Sequence, residues 1–227
     1  MLYNHWFLQF DFPNEHNKPY RISGGQLVWN EVLKCNIPVG WNVVPIMNVI
    51  TWESNSQPPK SKFKYEPQEG YIRFIQNRDY DNDAHITYIP LTRTLCTVDK
   101  YDILMDKYGD AGRVRYGIAG AFNVALGKIS VCTSNHREYI RSFLDSDSIY
   151  SFLHNSCMAS TRASLSEANL SVLSIAIPSE SILVKYETMV HNIRHSILQN
   201  KEESVCLIRL RDWLLPMLMN GQATIDD

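Results

Sequence analysis

The period of the apolar positions changes several times along this chain. Residues 1 to 12 are almost wholly apolar or aromatic, with Leu2, Trp6 and Phe7 at helical spacing ahead of Phe10, Phe12 and the breaker Pro13. They read as the last turns of a helix. NEHNKPYRISGG (14–25) is a polar connector, and LVWNEVLKCNIPVGWNVVPI (27–46) is an entry segment expected to dock Trp29 and Trp41. Short β-like runs then recur: YIRFIQ (71–76), HITYIP (85–90), KISVCT (128–133) and LSVLSIAIP (170–178), separated by Asn, Asp, Gly and Pro clusters. HREYIRSFLDSDSIYSFLHN (136–155) instead has helical spacing, broken by its Asp-Ser stretch.

Past Pro178 the pattern becomes a single stripe. With Ser179 as N-cap, Ile182, Tyr186, Met189, Ile193, Ile197, Val205 and Ile208 follow in steps that keep to one helix face, with an interruption near Lys201. A helix from about 180 to 215 would be roughly 50 Å long at 1.5 Å per residue, and its stripe wants a partner helix. Pro216 is expected to kink or end it, with Gly221 as a stop. The fold class that follows is α+β: a mixed α/β domain and then a long C-terminal helix of coiled-coil type. We divide the chain at 1–41, 42–178 and 179–227.

Composition adds little until charge is read locally. The net charge of −2 conceals two basic stretches. From Pro58 to Arg78, five cations (Lys60, Lys62, Lys64, Arg73, Arg78) face Glu66 and Glu69. From Lys107 to Arg141, six (Lys107, Arg113, Arg115, Lys128, Arg137, Arg141) face Asp110 and Glu138. Local patches govern phosphate contact more than the whole-chain balance does. Five scattered cysteines with no Cys-x-x-Cys pair read as reduced, mostly buried thiols. There is no apolar run of membrane-spanning length and no signal peptide, so the expectation is a cytoplasmic chain.

Familiar catalytic patterns fail on spacing. GDAGRVRYGIAGAFNVALG (109–127) has neither the Lys-Ser/Thr of a P-loop nor two glycines placed as in a dinucleotide fold. DYDND (79–83) reads as a solvated turn rather than a nuclease centre. NSQPPKS (55–61) lacks the flanking residues of an amino-methyltransferase motif. His191 and His195 share a helix face, but Asn192 stands where a metalloprotease has its glutamate. No catalytic or metal-binding residue is assigned. Glycine-flanked arginines do let a backbone approach phosphate while the guanidinium reaches base edges. The alternative is that the glycines merely supply turns, and Phe122, Leu126 and Trp52 beside them are expected in the core.

Four ordered strings resemble the specificity subunit of type I restriction-modification systems: WFLQFDFPNEHNKPYRISGGQLVWNEVLKCNIPVGW (6–41), YDILMDKYGDAGRVRYGIAGAFNVALGKI (101–129), SCMASTRASLSEANLSVLSIAIP (156–178) and LRDWLLPMLMNGQ (210–222). The resemblance covers nearly the whole chain but only the second half of such a subunit. It implies a target-recognition domain at 42–178, preceded by the end of a central helical region with its connector and followed by a distal helical region that sets spacing and pairs with another helix. It implies no catalysis and no cofactor in this chain, S-adenosylmethionine and ATP belonging to partner subunits. The implied partners are double-stranded DNA, the methyltransferase subunit, the restriction subunit through the complex, and a second copy or another helical region. Many members carry Glu-Gln just after the proline that opens the distal helix, where this chain has SESILVKYE.

On that resemblance the expected DNA contacts are Lys60, Lys62, Lys64, Arg73, Arg78, Arg113, Arg115 and Lys128, with Ser160, Thr161 and Arg162 of ASTRAS. Lysines suit phosphates and arginines suit base edges. The helix-pairing residues are the stripe from Ile182 to Ile208. The competing readings are a helical scaffold or silent recombination cassette with little DNA binding of its own, and an enzyme whose site is not recognised.

Overall fold

The computed structural model describes residues 2–82, 85–158 and 164–221. The chain divides into two compact units, Met1–Glu187 and Thr188–Asp227. The first unit opens with a short π-helical turn, Asn4–Leu8, and its described residues form the strands β1 (Leu27–Asn30), β2 (Cys35–Pro38), β3 (Asn42–Pro45), β4 (Ile50–Ser54), β5 (Tyr71–Ile75), β6 (Tyr88–Pro90), β7 (Thr97–Val98), β8 (Ile103–Asp106), β9 (Val114–Arg115), β10 (Gly120–Phe122), β11 (Leu126–Val131) and β12 (Ser174–Ile177). Helices α1 (Arg137–Leu144), α2 (Asp147–Met158) and α3 (Glu167–Ser171) stand between β11 and β12, and α4 (Glu180–Met219) follows.

Two four-stranded sheets form the centre, in the orders β6-β5-β10-β7 and β4-β11-β8-β9. All their pairings are antiparallel except β10 with β5. Ile75, Val98 and Phe122 of the first sheet pack with Leu104 and Leu126 of the second in one buried cluster. Phe74, Ile89 and Ala121 fill a second cluster with Phe63, Ile72 and Leu95 packed against it. Glycine is required at two close approaches within these sheets, one to backbone and one to a side chain. A Cβ on Gly120, at φ +155°, would lie 2.4 Å from the Arg73 carbonyl oxygen, and one on Gly127 would lie 2.2 Å from the Trp52 ring. Even a single methyl group is excluded at both positions, so these glycines serve the packing of the sheets.

The N-terminal turn closes the first unit. The Phe7 ring lies 4.5 Å from Tyr139 and 4.8 Å from Tyr186, centroid to centroid, and Trp6 is 5.6 Å from Tyr186. Trp41 packs 5.6 Å from Phe10 and 5.5 Å from Phe12. Such a cluster holds the early turn, α1 and the first two turns of α4 together through apolar burial and aromatic contacts.

Several expectations are corrected. Trp29 does not dock: it lies 54 % exposed on the β1–β2 ribbon, a two-stranded element anchored by buried Ile37 and Pro38. The run 170–178 opens on the last two residues of α3, because Ser166 and Asn169 form a capping box that starts that helix, and only Ser174–Ile177 is strand. Asp79 is buried, whereas Asp81 and Asn82 after it are exposed as expected of a solvated turn. Only Cys157 of the five thiols is buried, Cys96 being half-buried and Cys35, Cys132 and Cys206 exposed. Finally, α4 does not end at Pro216 but runs through it to Met219. A proline that near the end forfeits one backbone bond, and its own carbonyl still accepts from the Asn220 amide at 3.0 Å. Phe122 and Leu126 are core residues as expected.

Candidate nucleic-acid interface

The first part of the glycine-rich stretch closes the β8–β9 hairpin, with Leu104 opposite Arg115 and Met105 opposite Val114, and the rest runs through β10 into β11. Asp106 ends β8, and its amide donates to the Arg113 carbonyl at 2.9 Å while its carbonyl accepts from the Gly112 amide at 2.9 Å. Gly112, at φ +95°, gives the backbone the left-handed conformation that this closure needs. Arg113 and Arg115 lie two apart and therefore leave the extended chain on the same side.

Both arginines are held by acids of their own hairpin. Arg115 Nε and Nη2 donate to Asp106 Oδ2 at 3.1 and 2.9 Å, and the guanidinium lies 5.3 Å above the Tyr80 ring. Asp106 is buried, and its burial raises its pKa to about 6 against the lowering effect of Arg115. Arg113 Nε donates to Asp110 Oδ2 at 2.9 Å, with its guanidinium 4.8 Å from the Tyr150 ring, and Tyr150 Oη also donates to Asp110. The tyrosine hydroxyl first, and then Arg113, hold the Asp110 carboxyl below its usual range despite some desolvation. Tyr80, by contrast, has its phenol pushed up chiefly by burial.

The remaining predicted contacts fall into two kinds. Arg73 and Arg78 share the buried carboxylate of Asp79 at 3.8 and 4.0 Å, and Lys128 pairs with Asp102 at 3.2 Å while donating to the Thr97 carbonyl at 3.1 Å. Lys60, Lys62 and Lys64 are exposed, and among the described residues their ammonium groups form no ion pair. The 3₁₀ turn Lys60–Lys62 and the bridge of Lys64 to Tyr88 fix their backbone beside the first sheet. Ser160, Thr161 and Arg162 lie outside the described residues.

Sequence inspection missed Asp106, Asp110, Tyr80 and Tyr150 as partners of the arginines. Asp106 closes the apolar strand ILMD, where a lone acid in an otherwise buried strand is itself a signal for a paired cation. Tyr80 and Tyr150 come from distant segments and carry no such mark. Of the stripe, Ile182 and Tyr186 are buried in the first unit, whereas Met189, Ile193, Ile197, Val205 and Ile208 are exposed on α4. No helix of the described residues is long and apolar enough to cross a membrane.

The sequence profile of the type I restriction modification DNA specificity domain matches residues 38–194, and the chain belongs to that family. It is 23 % identical over 244 aligned positions to the type I restriction enzyme MjaIX specificity subunit of Methanocaldococcus jannaschii, covering all of this chain and 52 % of that subunit. Its fold is similar to the HsdS subunit from Thermoanaerobacter tengcongensis (TM-score 0.52, 17 % identity, 95 % of this chain and 49 % of that one). It is similar too to the type I restriction-modification S subunit from M. genitalium (TM-score 0.56, 13 % identity, 77 % and 44 %). The chain spans about half the length of these relatives.

Proposed function

We propose that this chain is a non-catalytic DNA-recognition half-subunit of a type I restriction-modification complex. Residues 42–178 read one half of a bipartite duplex target. Helix α4 pairs with another helical region, in a second copy or in the other half of a full-length subunit, and docks the methyltransferase subunit. Adenine methylation and cleavage, with S-adenosylmethionine and ATP, belong to the partner subunits, and the complex works in the cytoplasm. The observation that carries this reading is the family match over 38–194, which encloses every cation assigned to DNA. The helix supports it: forty residues at 1.5 Å each span about 60 Å, more than one turn of B-DNA at roughly 34–36 Å.

Single-molecule sequencing of a host expressing the chain with its methyltransferase tests the proposal. The expected result is a methylated bipartite motif that disappears without the chain; full methylation of the same motif in its absence, or no motif at all, overturns it. A scaffold reading with little DNA binding takes support from the ion pairs that already occupy Arg73, Arg113, Arg115 and Lys128. Under that reading Arg113→Ala with Arg115→Ala leaves both methyltransferase binding and the methylated motif unchanged.

A further inference from the structure

The paired arginines pose a choice. Either the acids cancel cations that would otherwise meet DNA, or they hold those cations in a fixed pose. We propose that Asp106 is a positioning residue that clamps one side of Arg115 and presents the opposite edge of its guanidinium to a base, making Arg115 a specificity determinant.

The geometry separates the two edges of the group. Asp106 Oδ2 takes the Nε and Nη2 hydrogens on one side. Nη1 has no protein partner among the described residues, and the side chain keeps 21 % of its surface exposed. The Nη1/Nη2 end therefore still offers two parallel N–H groups, the fork that matches O6 and N7 of guanine in the major groove. The ring of Tyr80 below sets the plane of the fork. An arginine so held has fewer rotamers to lose on contact than a free one, and its orientation is set before DNA arrives.

Its neighbours are held less firmly. The carboxylate that pairs with Arg113 is 36 % exposed, and Arg73 and Arg78 divide one carboxylate at longer distances. Asp106 is 1 % exposed and faces Arg115 at hydrogen-bond distance. The charge of the pair also sums to zero, so Arg115 adds little to non-specific attraction for phosphate. Base selection and phosphate attraction are thus assigned to different residues, Arg115 for the first and Lys60, Lys62 and Lys64 for the second.

The proposal rests on the DNA-recognition role above, and its test keeps the two apart. The full chain is assembled with its methyltransferase as wild type, Asp106→Asn and Arg115→Lys, and each complex methylates a library of randomised duplexes read by single-molecule sequencing. Both variants are expected to lose preference at the same single base pair by roughly 10- to 100-fold, with the other positions and the salt dependence of binding unchanged. Arg115→Lys retains the charge but not the fork, so it decides the matter if Asp106→Asn does not fold. A wild-type motif left intact in Arg115→Lys overturns the inference alone, as does a uniform loss of methylation at all positions, the mark of a structural role. A wild-type complex that selects no motif overturns the recognition role, and this inference with it.

Discussion

The lysines at 60–64 and the arginines around β8, β9 and α1 carry one sign of charge in opposite surroundings. Lys60, Lys62 and Lys64 stand in water without ion pairs among the described residues, on a short 3₁₀ turn and its continuation. Arg141 sits at the other extreme: 1 % exposed, it pairs with buried Glu138, donates to the Tyr101 carbonyl and lies 5.3 Å over the Tyr116 ring. Arg115 and Arg113 fall between. Solvated cations can release counterions and attract any phosphate backbone, whereas cations tied to buried acids are directional and electrically spent. A basic count along the sequence treats the two groups alike. The fold separates them by burial and by pairing, from the enclosed Arg141 to the solvated lysines.

The largest effect is expected where the pairing is deepest. Glu138→Ala removes the carboxylate that faces the buried guanidinium of Arg141 and should cost about 3–5 kcal/mol of stability, read from urea unfolding midpoints. A loss within the error of a surface substitution would place Arg141 among the exchangeable charges and remove that end of the comparison. Next comes the lysine stretch. Changing Lys60, Lys62 and Lys64 together to Ala should weaken duplex binding by the assembled complex roughly 10- to 100-fold at low salt, and flatten the log–log salt dependence by about three. Fluorescence anisotropy at several salt concentrations measures both, and the melting temperature should hardly move. An unchanged salt slope would show that these lysines do not meet DNA.

The elements governed by period were legible in the sequence, and the charge partnerships were not. β5 and β11 fall inside the runs 71–76 and 128–133 or beside them, α1 and α2 part at the Asp-Ser break, and α4 begins just after Ser179. Each of these is set by residues within a few positions of one another. The partnerships join Tyr80 to Arg115 and Tyr150 to Arg113 across long intervals of chain, and Asp106 meets Arg115 only in the hairpin register. Local chemistry also overrode two period-based expectations. The capping box at Ser166 turned the start of a β-like run into α3, and the ribbon carrying Trp29 offers that ring little to bury against. Which of the cations remain unpaired became visible only with the fold.

A smaller effect should appear in the pH dependence of stability, and it reports on Asp106. Burial raises its pKa to about 6, above the roughly 3.9 of an unfolded chain. A raised acid stabilises the fold while protonated. That contribution is complete below the unfolded value and is lost as pH climbs through 6. Wild type compared with Asp106→Asn should therefore be relatively more stable at pH 4 than at pH 7, with the difference levelling off above about 7. Paired thermal melts across that range give the comparison. A difference that grows with pH would mean that Arg115 outweighs burial and holds Asp106 charged throughout, so the clamp would be stronger than its surroundings imply.

Arg113→Ala should have the smallest effect on the fold. Its side chain is 48 % exposed and its partner Asp110 is 36 % exposed, so water screens the pair and each side chain gives up rotamer freedom to form it. The expected change in stability is under about 0.5 kcal/mol, the range of exposed ion pairs, even though the Tyr150 ring lies 4.8 Å from the guanidinium. The same substitution should lower DNA affinity more than it lowers stability, because the group still faces water and can exchange Asp110 for a phosphate oxygen. A Tm loss of many degrees with affinity unchanged would move Arg113 from the surface that meets DNA to the structural set around Arg141. The boundary between orienting and stabilising charges would then fall outside the β8–β9 turn altogether.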